Sequence, residues 1–99
     1  MFSFLQPHDG PVVRELESKE IIYAAHQPEY NPLRVLRSTS VQGAVLSRWT
    51  LTPEQRQAIA NGADIYLELL TFGFPLTPIR VAVGQDVDPD YIREQFGIG

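Results

Sequence analysis

The sequence predicts a small, strand-rich single domain of the α+β class, a mainly antiparallel sheet with one or two short helices. Three observations predict it. Residues 52–62 carry matched start and stop signals for a short helix. Residues 63–83 then switch to period-two alternation of apolar and polar side chains. Upstream, short apolar runs are separated by polar, proline-bearing connections. Ninety-nine residues accommodate one domain. It divides into an N-terminal arm (1–11), an α+β core (12–84) and a C-terminal tail or short helix (85–99).

The helix has the most readable ends. Thr52 stands at the N-cap position, Pro53 at N1 and Gln55 at N3, where its amide completes a capping box. Glu54 favours the positive end of the helix dipole, and Gly62 suits the left-handed stop. Ala58 and Ile59 are the expected buried side. A helix from Pro53 to about Asn61 is too short to stand alone and must be held by packing.

The strand signals follow. In Ala63 to Phe72, Ile65, Leu67 and Leu69 share one face, and Asp64, Tyr66 and Glu68 the other. Leu70 and Phe72 make that second face apolar toward its end. After a kinked Gly-Phe-Pro connection, Ile79, Val81 and Val83 alternate with Arg80 and Ala82, a second strand expected to run antiparallel to the first. Lys19 to Ala25 carries apolar residues on both faces, as a central strand does: Ile21, Tyr23 and Ala25 against Ile22 and Ala24. His26 to Leu33 is a shaped loop set by two prolines. Leu33 to Ser38 and Ala44 to Trp49 form a hairpin with a long tip, and in some registers it brings Arg37 near Arg48.

The expected core is Ile21, Tyr23, Val35, Leu46, Trp49, Ile59, Ile65, Leu67, Leu69, Phe72, Ile79, Val81 and Val83. Trp49 is expected under the helix that follows it. Phe2, Phe4 and Leu5 are unusual for a terminus. They imply an arm that packs on its own domain as an edge strand or docks on a neighbouring subunit. At the other end, Asp88 and Pro89 read as a cap and first turn, Ile92 and Phe96 share a face, and Gly97 is a stop. That helix either covers a sheet edge or orders on another protein.

Composition narrows the chemistry. There is no cysteine, so disulfides, thiolate catalysis and cysteine metal sites are excluded. His8 and His26 are too few for a histidine-rich metal centre. The spacing of Asp86, Asp88 and Asp90 lacks the glycine and terminal glutamate of a calcium loop. No phosphate-binding glycine loop or nucleophile elbow occurs. No cofactor, metal or catalytic residue is expected, and the chain reads as a non-enzyme. No apolar run reaches membrane-spanning length, and the first ten residues lack the pattern of a signal peptide.

Charge is unevenly spread around a net −4. Residues 1–30 carry two basic and five acidic side chains, net −3. Residues 31–63 hold Arg34, Arg37, Arg48 and Arg56 against Glu54, net +3. Residues 64–99 carry two basic and six acidic side chains, net −4. The overall sign disfavours nucleic acid. The basic middle marks either an anion site or an oligomer seam that pairs unlike patches.

The block VLSRWTLTPEQRQAIANGADIYLELLTFGFPLTPI, about a third of the chain, resembles small proteins of unassigned role encoded by tailed bacteriophages. The resemblance implies a viral accessory or structural role and transfers no functional residues. With it, the expectation is an interaction or assembly module that forms a homo-oligomer in the cytoplasm, the host cytoplasm if viral, or within the virion. A further phage or host protein is the other candidate partner. Its contact residues would be Phe2, Phe4, Leu5, Tyr91, Ile92 and Phe96. The alternative expectation is a protein that binds and sequesters a nucleotide or phosphate through Arg34, Arg37, Arg48, Tyr30 and Tyr66.

Overall fold

A computed structural model describes residues 3–24, 32–41, 43–69, 72–73 and 79–99. Within them the chain forms two antiparallel sheets and two α-helices, an α+β fold. The strands are β1 (Gln6–Pro7), β2 (Ile21–Tyr23), β3 (Leu33–Arg37), β4 (Val45–Ser47) and β5 (Trp49–Thr50). The helices are α1 (Pro53–Ala60) and α2 (Pro89–Phe96), with a single 3-10 turn at Glu17–Lys19.

The larger sheet has the order β2-β3-β4. Its register sets Ile22 opposite Arg34, and Leu36 opposite Leu46. Those four residues therefore share one face. Ile21, Tyr23, Leu33, Val35, Arg37, Val45 and Ser47 take the other. The first face carries the main apolar cluster, and on the other face Val35 is fully buried. Leu36 packs with Val12, Val13, Leu16 and Ile92, and Leu46, Phe96 and Ile98 lie against them. The turn at 12–16 and α2 are thus the cover of this sheet.

Both helices follow their cap chemistry. Thr52 Oγ1 accepts from Gln55 N at 3.1 Å, and Gln55 Oε1 accepts from Thr52 N at 2.9 Å, the reciprocal pair of a capping box. Asp88 caps α2 through Asp90 N at 3.1 Å. Gly97 closes α2 with φ 64°, where a side chain is disfavoured. Thr39, in the β3–β4 loop, donates its N–H to Phe96 O at 3.0 Å and so ties that helix end to the hairpin.

The smaller sheet seats the arm. Gln6 pairs with Thr50 and Pro7 with Trp49, and His8 N donates to Arg48 O at 2.8 Å. The arm is an edge strand of its own domain, one of the two placements the sequence allowed. Gln55 holds it further: its Nε2 donates to Ser3 O and Phe4 O, both at 3.1 Å. This explains how so short a helix is kept in place. Gln55 is the buried residue of α1, whereas Ala58 and Ile59 are exposed, contrary to expectation. The helix is pinned by polar bonds at its first turn rather than by an apolar stripe.

The core differs from the expected one. Val35 is fully buried and Leu46 partly so, but Ile21, Tyr23, Trp49 and Ile59 are exposed. Trp49 does not lie under α1; it stands 43% exposed, and its Nε1 donates to Ser47 Oγ at 2.9 Å. The two expected strands at 63–72 and 79–83 are also corrected. Among the described residues 63–69, 72 and 79–83, none belongs to a strand or a helix, and all are exposed. Alternation records that a segment suits a sheet, but a strand exists only where a neighbour accepts its backbone bonds. Ala25, the 26–31 part of the shaped loop, and Leu70 lie outside the described residues.

Candidate functional site

Two features adjoin at β2. The first is its exposed edge. Among the described residues β2 pairs only with β3. Its three residues are 44, 52 and 37% exposed, so an apolar strand lies at the rim of the sheet with partly exposed side chains on both faces. The second is a cleft of about 330 Å³ beside it. Ile22, Arg34 and Arg48 line this cleft, together with His8 and Asp9 of the arm.

The cleft is built from the body outward. Glu20, with a side chain only 5% exposed, accepts Arg34 Nε at 2.6 Å and Val12 N at 2.8 Å. One carboxylate thus fixes a guanidinium and the start of the 12–16 turn together. Arg34 projects from the same sheet face as Ile22 and turns toward the arm. Arg48 reaches back to Pro11 O at 3.4 Å, a long contact, and remains exposed. His8 Nδ1 and Thr50 Oγ1 share a hydrogen bond of 2.7 Å that fastens the end of β1 to β5. Among the described residues no carboxylate orients the other imidazole nitrogen, so this pair lacks the third member of a nucleophilic triad.

The anticipated ligand-binding residues do not gather as one set. Arg34 and Arg48 both line the cleft, whereas Arg37, which only some hairpin registers bring near Arg48, does not. The register sets Arg37 opposite Val45, on the opposite sheet face from Arg34. Tyr66 stands exposed in the 63–69 segment, and Tyr30 lies outside the described residues.

The anticipated contact residues also divide. Ile92 and Phe96 are spent on the chain's own core, while Tyr91 faces outward on α2. Phe4 is exposed, Leu5 is half-buried, and Phe2 lies outside the described residues. Sequence reasoning overlooked Glu20 and His8. Both owe their roles to partners distant in sequence, and nothing in the local pattern marks them.

A further group of exposed apolar side chains lies in the stretches that alternation assigns to the core. Ile65, Leu67, Leu69, Phe72, Ile79, Val81 and Val83 are between 43 and 97% exposed. Asp64 and Glu68 punctuate its first half and Arg80 its second. Beyond it, Arg14 Nε and Asp86 Oδ1 pair at 3.1 Å and tie the following loop to the 12–16 turn.

Comparison with family models, curated proteins and solved structures returned no match to this chain. Among the described residues no helix is long and apolar enough to cross a membrane.

Proposed function

We propose that this protein is a non-enzymatic assembly module whose exposed apolar residues within 65–69, 72 and 79–83 are covered by another protein surface when it works. One observation carries the reading: seven large apolar side chains of these stretches stand exposed in a single chain. Monomeric proteins seldom leave a large contiguous apolar patch open, and covering one Leu or Ile fully contributes about 1.5–3 kcal/mol. The phage-like block of the sequence spans residues 45–79 and overlaps these stretches. That overlap supports an accessory or structural role in a tailed phage, in the host cytoplasm or the virion.

Native mass spectrometry of the full chain tests the proposal. The expected result is a discrete oligomer of wild-type chain, reduced to monomer by Leu67→Asp. A wild-type monomer throughout the micromolar range, with no partner recovered from phage-infected cells, would contradict it.

A second reading, capture of a nucleotide or phosphate, is favoured by the meeting of Arg34 and Arg48 on one cleft. Titration calorimetry with linear and cyclic nucleotides tests it. Micromolar binding lost in Arg48→Ala would establish it, and no heat with any of them would count against it.

A further inference from the structure

We infer that the surface covering residues 63–69 is β2 of a second copy of this chain, and that the segment adds there as a fourth strand. The inference rests on the assembly reading above and specifies its partner and geometry.

Two incomplete halves occur in one chain. The sequence of β2 is that of an interior strand, apolar on both faces, yet the fold leaves it at the rim with backbone groups unpaired on its outer side among the described residues. The sequence of 63–69 is that of a strand, yet the segment has no place in either sheet. A strand added beside β2 supplies what each lacks: backbone partners for one, an apolar neighbour for the other. The other rim is less open. The chain continues from β4 into β5, where the arm is already paired, with His8 N on Arg48 O.

Alternation then fixes the orientation. If Ile65, Leu67 and Leu69 lie beside Ile21 and Tyr23, then Asp64, Tyr66 and Glu68 fall on the face of Ile22 and Arg34. That is the face on which the Arg34–Arg48 cleft opens. Two strand spacings, about 10 Å, separate an added strand from β3, and Arg48, which follows β4, lines the same cleft as Ile22 of β2. Arg34 already shares its charge with Glu20, and Asp9 lines the same cleft. The open donor is therefore chiefly Arg48, whose guanidinium makes one long bond among the described residues, to Pro11 O.

Charge also selects the segment and the occupant. Residues 79–83 carry Arg80 and would bring like charge to this cleft, whereas 63–69 carry only acids. At the scale of the whole chain, the net +3 stretch 31–63 and the net −4 stretch 64–99 make one copy complementary to another. Reciprocal exchange gives a closed dimer, and one-way addition gives a ring or a filament.

The absence of cysteine allows a direct trap. Ile21→Cys chains are mixed with Leu67→Cys chains under mild oxidation, with Val41→Cys, at the exposed hairpin tip, as the control partner. The expected product is a disulfide-linked heterodimer of the first pair and none with the control. In parallel, Glu68→Arg and Arg48→Glu are each expected to weaken wild-type association about tenfold, and an equimolar mixture of the two to recover it. An oligomer abolished by Leu67→Asp but indifferent to both reversals, with no heterodimer trapped, would overturn this geometry and leave the assembly reading standing. A wild-type chain monomeric at every concentration would overturn the second-copy geometry, and the assembly reading as well if no partner is recovered from phage-infected cells.

Discussion

Ile22 of β2 lies directly opposite Arg34 of β3, so the rim of the sheet presents an apolar side chain and a guanidinium on the same face. Arg34 is held there by Glu20 at 2.6 Å. The combination gives the rim a polarity pattern, greasy at the backbone edge and cationic behind it. The segment 63–69 has the matching pattern, with Ile65, Leu67 and Leu69 on one side and Asp64, Tyr66 and Glu68 on the other.

Glu20 is the first point to test. Its carboxylate serves Arg34 Nε and Val12 N while almost fully buried. Glu20→Ala leaves a backbone donor and a partly exposed guanidinium without their acceptor, a loss of about 2–3 kcal/mol. Urea unfolding should show that loss, with Glu20→Gln intermediate because its amide retains one acceptor oxygen. A midpoint unchanged in Glu20→Ala would mean that the carboxylate does not anchor the 12–16 turn.

Gln55 joins two tasks that its variants separate. Its Oε1 completes the capping box and its Nε2 holds the arm through Ser3 and Phe4. Gln55→Glu keeps the acceptor and removes the donor. It should free residues 3–7 for limited proteolysis while costing α1 little. Gln55→Ala removes both, with a total cost of about 1–3 kcal/mol. Equal cleavage of the arm in wild type and Gln55→Glu would refute the pin. Removal of residues 1–6 is expected to destabilise the chain as well, because β1 pairs within its own domain.

Gly97 closes α2 at φ 64°, and a Cβ there would overlap Thr39 Oγ1. Gly97→Ala therefore meets left-handed strain of about 1–2 kcal/mol and a steric conflict besides. Thermal unfolding should show the loss, and Thr39→Ala in the same chain should restore only the steric part. Full restoration would mean that the backbone conformation at position 97 is not constrained.

Much of this architecture was legible where local chemistry decides it. The caps at Thr52 and Asp88, the stop at Gly97 and the β3–β4 hairpin follow from neighbours within a few residues. The core was less so. Val12, Val13 and Leu16 sit among charged residues in a stretch too short to show a period, yet they are buried because the sheet lies over them. Residues 63–83 show the reverse error. Their alternation is the strongest in the chain, but a pattern does not name its partner strand, and none within the described fold takes it up. The cleft was half legible: arginines were singled out, but the register that separates Arg37 from Arg34 and Arg48 was not.

The exposed segment makes a separate forecast for stability. A side chain more than half exposed in the monomer should cost the monomer little when made polar. Leu67→Asp and Val81→Asp are expected to leave the unfolding midpoint of the dilute chain within about 0.5 kcal/mol of wild type. Urea titration at nanomolar concentration checks this. A loss on the scale of a core leucine would show that these residues are buried within their own chain.

The most direct measurement is amide hydrogen exchange at β2 and at residues 63–69, followed as protein concentration is raised. Both segments are expected to exchange rapidly in dilute protein and to gain protection together as chains associate. Protection already present at the lowest concentration and independent of it would mean that the two segments pair within one chain. Protection of neither at any concentration would mean that the sheet rim is not where this protein meets its partner.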